Sequence, residues 1–328
     1  MNVFWNSYEP AMTDKEWASS TGDGMWLTHL WTELRKVGVQ IFNLSVGLYD
    51  DRVDYYENVL GSVPPDVIVL SWRWQMPDYH QRQQAYLRQM ELIEFAIKRK
   101  IPVLIHNSNL MPTIEDALLW AKHLDFHGCR VRLTAPLMSP PPDYRTLHFV
   151  CPPKKVKAGG YKSRERIYVG NNYGRYEAAL EWLGGTPVVI HGNWLEPSPH
   201  RQSPDQVMQD FGKGPIFMPK ISQKDVLKVL SATWATVHLA KPDYYEYGFV
   251  AYRWAEAAQA STYAFVPHEM NISDEARSLF SPNVAKWRGP FTAEAKSKMT
   301  YDTAKQREFV ESIMSVQPWI DILKELAS

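Results

Sequence analysis

Arg253 and Glu256 stand three residues apart in the run Phe249-Val-Ala-Tyr-Arg-Trp-Ala-Glu256, which places them on one face of a helix. A guanidinium suits a phosphate, and a carboxylate beside it suits a sugar diol, because it accepts a hydrogen bond from each of two hydroxyls. The same spacing also makes an ordinary exposed ion pair, which contributes little. Gly170 and Arg175 lie in Val169-Gly-Asn-Asn and Gly174-Arg, between an apolar run and a helical pattern. Backbone amides and one guanidinium there fit a phosphate, or a plain turn with a surface arginine. Gly192 and Asn193 follow the next apolar run. That glycine either lets a ligand approach the backbone or makes a tight turn.

Proton transfer has three candidates, Asp23, His106 and Asp78. Asp23 opens the first helical pattern, as a base or as a helix cap. His106 ends an apolar run and titrates near neutrality, or sits in the core. Asp78, with His80, precedes a long helical pattern that it would equally well cap. His123 and His127 are four apart, but Asp125 faces away and no third ligand is evident, so no metal site is expected.

Lys154, Lys155, Lys157 and Lys162, with Arg164 and Arg166, form a basic cluster that would track a phosphate backbone or else be a solvated linker. Trp72, Arg73 and Trp74 follow an apolar run, where an aromatic ring would stack on an extruded base or fill the core. There is no G-x-G-x-x-G or Walker A loop, and no Asp-x-Asp pair follows a strand pattern. Any diphosphate charge therefore falls to arginine, lysine and helix N-termini.

These residues need elements to hold them. Apolar runs at residues 3–5, 39–44, 67–71 and 103–105 alternate with helical patterns at 24–37, 80–99 and 114–123. Residues 135–165 break the rhythm with proline, glycine and lysine, and read as a linker. Alternation resumes with strand patterns at 167–169, 188–191, 236–239 and 263–266, and helical patterns at 176–183, 224–231 and 250–260. A long helical pattern closes the chain at 303–326, with Pro318 expected to kink or split it. Strand–helix alternation of this kind builds parallel sheets with right-handed crossovers. At 328 residues the chain exceeds one ordinary core, so two such halves are expected, with ligands beyond the carboxyl ends of the strands.

The hydrophobic fraction is 45%, charged residues make up 22%, and the formal net charge is zero, so only local clusters can speak for a polyanionic partner. Cys129 and Cys151 are the only cysteines and have no metal-ligand spacing, which fits a reducing, cytoplasmic compartment. No apolar run approaches the length of a membrane span, and no signal-peptide pattern opens the chain, so no membrane partner is expected.

The run from Phe249 to Val266 resembles the nucleotide-sugar helix of GT-B glycosyltransferases. More narrowly it is similar to that of the T-even bacteriophage DNA β-glucosyltransferases, where Arg, Trp and Glu also follow in order. Gly174-Arg175, His191-Gly192-Asn193, residues 217–221 and residues 243–246 come in that family's sequence order. The resemblance implies an α/β GT-B fold: two Rossmann-like domains facing each other across a cleft. Residues 1–160 would be the acceptor side, 161–302 the nucleotide-sugar side, and 303–328 a helix returning to the first domain. It implies a UDP-sugar donor, with Arg175 and Arg253 on the diphosphate, Glu256 on the ribose and Ile221 at the uracil. Asp243, Tyr244 and Tyr245 would lie near the sugar, with a divalent cation (Mg or Mn) as a further assistant to the diphosphate. The implied acceptor is the hydroxymethyl group of 5-hydroxymethylcytosine or 5-hydroxymethyluracil in double-stranded DNA, modified by a monomer in a phage-infected host cell. A GT-B enzyme with another acceptor, or a non-catalytic nucleotide-sugar-binding protein, are the alternatives. One departure stands out: Asn107 falls where the family's aspartate base is expected, and an amide cannot take a proton, so either another residue supplies the base or configuration is retained with the leaving phosphate in that role.

Overall fold

A computed structural model of the chain describes residues 1–6, 22–44, 63–72, 80–108, 113–152, 162–172, 174–198, 201–280 and 283–328. The chain divides into two compact units, Met1–Val150 with Ser315–Ser328, and Cys151–Met314.

The first unit contains β1 (Asn2–Asn6), α1 (Gly22–Lys36), β2 (Gln40–Asn43), β3 (Val67–Ser71), α2 (His80–Arg99), β4 (Val103–His106), α3 (Thr113–Phe126), β5 (Val131–Ala135) and β6 (Tyr144–Thr146). Its sheet runs β2-β1-β3-β4-β5-β6, with every neighbouring pair parallel. Val67 to Ser71 is buried throughout, as a strand covered on both faces must be. The expected linker is shorter than the sequence suggests. Residues 136–143 turn between two parallel strands, and β6 still belongs to the first sheet. Four prolines in that stretch mark a tight crossover, because proline withdraws backbone donors there without interrupting the strands on either side.

The second unit holds β7 (Arg164–Val169), α4 (Tyr176–Leu183), β8 (Val189–His191), α5 (Pro204–Phe211), β9 (Ile216–Met218), α6 (Gln223–Ser231), β10 (Thr233–Val237), α7 (Pro242–Glu246), α8 (Arg253–Gln259), β11 (Tyr263–Phe265), α9 (Asp274–Phe280), α10 (Val284–Arg288) and α11 (Ala293–Ile313). Its sheet is also wholly parallel, in the order β11-β10-β7-β8-β9. From β7 the chain moves outward one way through β8 and β9, then returns to start the other way at β10. The crevice where β7 and β10 part is thus the topological switch point, the usual ligand position of such sheets.

The expected closing helix is two. α11 ends at Ile313, and α12 (Gln317–Ala327) begins with Pro318 in its first turn, where a missing N–H leaves no helical bond unmade. α12 belongs to the first unit. Its Trp319 stacks on Trp5 (centroids 5.3 Å apart, 29° between planes), packs against Trp26 at 5.8 Å and donates Nε1–H to the His148 carbonyl at 2.9 Å. Glu325 on the outer face accepts from Arg132 (2.6 Å) and Arg145 (2.7 Å).

Candidate functional site

In the second unit the strand ends are closely fitted. Gly170 donates its N–H to the His191 carbonyl at 3.0 Å, and its own carbonyl accepts Trp194 Nε1–H at 2.7 Å. A Cβ on Gly170 would come within 2.5 Å of the Tyr168 hydroxyl, and a Cβ on Gly192 would collide with the Gly170 carbonyl. Both glycines therefore have a packing reason: they let the β7 and β8 ends and the Tyr168 ring share one small space. Gly174, at φ +59°, makes the left-handed step that brings Arg175 to the start of α4.

Arg175 and Arg253 come from the two sides of the switch point and converge on Tyr168. Burial pushes the Tyr168 phenol up, while both guanidinium groups pull it back. Arg175 donates Nη1–H to the Asn171 carbonyl at 3.3 Å. Its Nε is sealed from water without a partner, as are both side-chain atoms of Asn172 and the Nε2 atoms of His191 and His238. Leaving a buried polar atom unbonded costs about 1–3 kcal/mol, so this concentration at the ends of β7, β8 and β10 suits a polar ligand. Asn193 completes the rim. With its oxygen turned to Arg201 (2.8 and 3.1 Å), its NH2 reaches Asn171 Oδ1 at 3.2 Å.

Glu256 is 1% exposed, and both its oxygens are engaged. Arg253 Nη1 donates to Oε2 at 2.5 Å, and Gln223 Nε2 donates to Oε1. Arg253 itself keeps 35% of its side chain exposed, so one end of the pair is buried and the other open. This is not the ordinary surface pair that the spacing alone allowed. A carboxylate oxygen accepts more than one donor, so each still has a free lone pair.

Ile221 is half-buried and packs with Val169 and Val189 over the cluster of Ile167, Val226, Leu230 and Ala260. Tyr244 is buried against Phe249 (4.5 Å), with the Lys241 ammonium 5.9 Å from its ring centre. The Tyr245 hydroxyl accepts the Ala240 N–H at 3.3 Å, and burial pushes its pKa up to about 12. Asp243 lies in α7.

The first unit revises several expectations. His106 is fully buried among Trp26, Phe149 and Trp319. Its Nδ1 meets Thr134 Oγ1 at 3.1 Å, and burial pushes its pKa down to about 3. It has no access to solvent or acceptor and is too weak a base, so it is a core histidine rather than a catalytic one. Trp72 is likewise fully buried, so its ring cannot stack on a base. Asp23 lies in the first turn of α1. Asp78, Arg73, Trp74, Lys154, Lys155 and Lys157 lie outside the described residues.

Lys162 is not free to track a phosphate backbone. Its Nζ donates to the Thr233 and Ser261 carbonyls, both at 2.8 Å, and burial pushes its pKa down to about 8. Arg166 is also turned inward, donating to the Trp287 carbonyl at 2.6 Å with its guanidinium 4.0 Å from the Phe291 ring centre. The basic run thus divides: Arg164 at the start of β7 stays exposed, while Lys162 and Arg166 are turned inward.

Sequence reasoning missed Asp116, Tyr168 and Gln223. Asp116 Oδ2 accepts Trp72 Nε1–H at 3.2 Å, and burial raises its pKa. It lies in the first turn of α3, just beyond β4, on the carboxyl side of the first sheet. Asn107 is buried nearby, its Nδ2 3.4 Å from the Tyr144 hydroxyl. Acidic residues in a first helical turn are so common that nothing in the sequence singles Asp116 out. Among the described residues no group of three or more His, Cys, Asp or Glu assembles as a metal site.

No protein-family model matches the chain, and no curated protein matches it in sequence. Its fold is similar to solved structures along its whole length. The T4 phage β-glucosyltransferase in complex with UDP and Mn2+ matches with a TM-score of 0.64 at 14% identity, covering 100% of both chains. AviGT4, a glycosyltransferase involved in avilamycin A biosynthesis, matches with a TM-score of 0.59 at 13% identity, over 99% of this chain and 98% of that one. HepE of Anabaena in complex with UDP-glucose gives 0.53 at 9% identity, over 100% and 98%. At such identities the likeness is one of architecture: this chain has the GT-B fold, with two Rossmann-like parallel sheets.

Proposed function

We propose that the protein is a glycosyltransferase that takes a sugar from UDP and places it on the hydroxymethyl group of a modified pyrimidine in DNA. The observation that carries the donor half is the buried Glu256, held by Arg253 and Gln223 beside the switch point of the second sheet. The two ribose hydroxyls would donate to the remaining lone pairs of that carboxylate. Arg175 and Arg253, which both act on Tyr168, would take the diphosphate, and Ile221 would meet the flat face of the uracil. Two guanidinium groups stabilise the charge that grows on the departing diphosphate, which lowers the barrier more than it aids ground-state binding. A divalent cation (Mg or Mn) on the diphosphate would take most of its ligands from the phosphate oxygens and water rather than from a protein cluster, of which none assembles among the described residues, and no step is assigned to it.

Attack by a hydroxymethyl group with inversion needs a base at the acceptor. Asn107 cannot serve, and Asp116, in the first turn of α3 after β4, is the carboxylate candidate that the first unit offers. Its raised pKa makes it a stronger base than an ordinary aspartate. Asp23 remains a second candidate by its place at the start of α1.

The DNA acceptor is supported by likeness to the T4 protein, a DNA-modifying enzyme. A second reading, transfer to a non-DNA acceptor, is favoured by the inward commitment of Trp72, Lys162 and Arg166. Radiolabelled UDP-glucose incubated with DNA containing 5-hydroxymethylcytosine or 5-hydroxymethyluracil separates the two. Label in the modified DNA and none in ordinary DNA supports the first reading. Release of UDP with no label in DNA supports the second. Unchanged UDP-glucose, with other UDP-sugars equally inert, contradicts both.

A further inference from the structure

Gln223 is the first residue of α6, and its side chain reaches across to Glu256 on α8, thirty-three residues further along the chain. The contact joins two segments with different tasks in the donor site. Residues 219–222 leave the edge strand β9 and carry Ile221, while α8 carries the buried carboxylate. Neither Gln223 nor its bond to Glu256 can be read from sequence spacing.

The chemistry of the pair is specific. A carboxylate at 1% exposure needs donors to replace lost water, and Arg253 supplies one to Oε2 only. Without Gln223, Oε1 would be buried unbonded and the carboxylate free to rotate about its last torsion. With each oxygen held by its own donor, the carboxylate plane is fixed before any ligand arrives. A pre-oriented acceptor gains affinity because its ordering is already complete. The amide is neutral, so it holds the carboxylate without competing for the negative charge of a diphosphate.

We propose that Gln223 is a positioning residue that fixes the Glu256 carboxylate for the ribose 2′- and 3′-hydroxyls. It thereby makes the site selective for ribonucleoside over 2′-deoxyribonucleoside diphosphates. The proposal rests on the donor-site reading above and extends it to a residue that need not touch the ligand. A 2′-deoxyribose offers one donor fewer, so the benefit of a fixed carboxylate plane falls mainly on the ribose form.

The test is calorimetric titration of the full chain with UDP and with 2′-deoxy-UDP, in the parent protein and in Gln223→Met and Gln223→Asn. Methionine keeps the length but donates nothing. Asparagine keeps the amide one methylene short and guards against a packing failure in the first variant. The parent should prefer UDP over 2′-deoxy-UDP by about tenfold or more. In both variants UDP binding should weaken by about fivefold to tenfold while 2′-deoxy-UDP binding stays within about twofold, so the preference collapses. A variant that weakens both ligands equally, or neither, overturns the positioning role and leaves the donor-site reading standing. A parent protein that binds neither ligand overturns both.

Discussion

Asp116 sits at the start of α3 with one oxygen held by the Trp72 indole at 3.2 Å and its pKa raised by burial. A base must be ionised to act, so the acid limb of the transfer rate should lie above that of an ordinary carboxylate. Asp116→Asn should lower transfer by about a hundredfold or more while leaving UDP affinity unchanged, since the residue belongs to the first unit. Retained transfer in Asp116→Asn would return attention to Asp23. The contrast with His106 is physical. His106 ends β4 and Asp116 follows it at the start of α3, but His106 points among three aromatic rings and loses its basicity, while Asp116 keeps a partly open carboxylate. Sequence spacing gives the strand end and not the direction of the side chain, so it nominated the buried group and passed over the accessible one. Arg253 and Glu256 were legible because helical spacing forces them together. Gln223, joined to them only through the tertiary fold, was not.

The helices that close each unit show a second limit of local reading. Pro318 marked a break in the closing helical pattern, and the break is there, at residues 314–316. That the piece beyond it belongs to the first unit follows from where its apolar face finds partners: Trp319, Ile320, Ile322, Leu323 and Leu326 are all buried. Trp319→Ala should cost about 3–5 kcal/mol, because it empties a site between Trp5, Trp26 and His106 that these rings cannot collapse to fill. A urea titration followed by circular dichroism measures it; a change below about 1 kcal/mol would mean that α12 packs loosely. The proline-rich stretch misled in the other direction. Turn composition at 136–143 looked like a domain linker, yet β5 and β6 pair across it. Short strands such as β6 and β9, three residues each, carry too little alternation to be read without their neighbours.

Both parallel sheets follow from strand–helix alternation, and the switch point of the second explains why its charged groups gather where they do. No described helix is long and apolar enough to cross a membrane. Both units also share a response to acid. His106 and His148 in the first unit and His238 in the second have pKa values pushed down by burial to about 3, about 4 and about 3. The unfolded chain binds these protons near pH 6.5 and the folded chain does not. Their contribution to stability is therefore full above that pH and is lost progressively as pH falls from about 6.5 toward about 3. The urea midpoint should drop between pH 7.5 and pH 5, and His106→Phe should make the drop smaller; an equally steep drop in that variant would assign it to other groups. If the switch point of the second sheet is a UDP-sugar site built on Glu256, titrating UDP into the full chain and into Glu256→Ala must separate the two proteins. The parent should bind UDP, and the variant should bind it at least about tenfold more weakly. Equal affinity in the two proteins, or none in the parent, would contradict it.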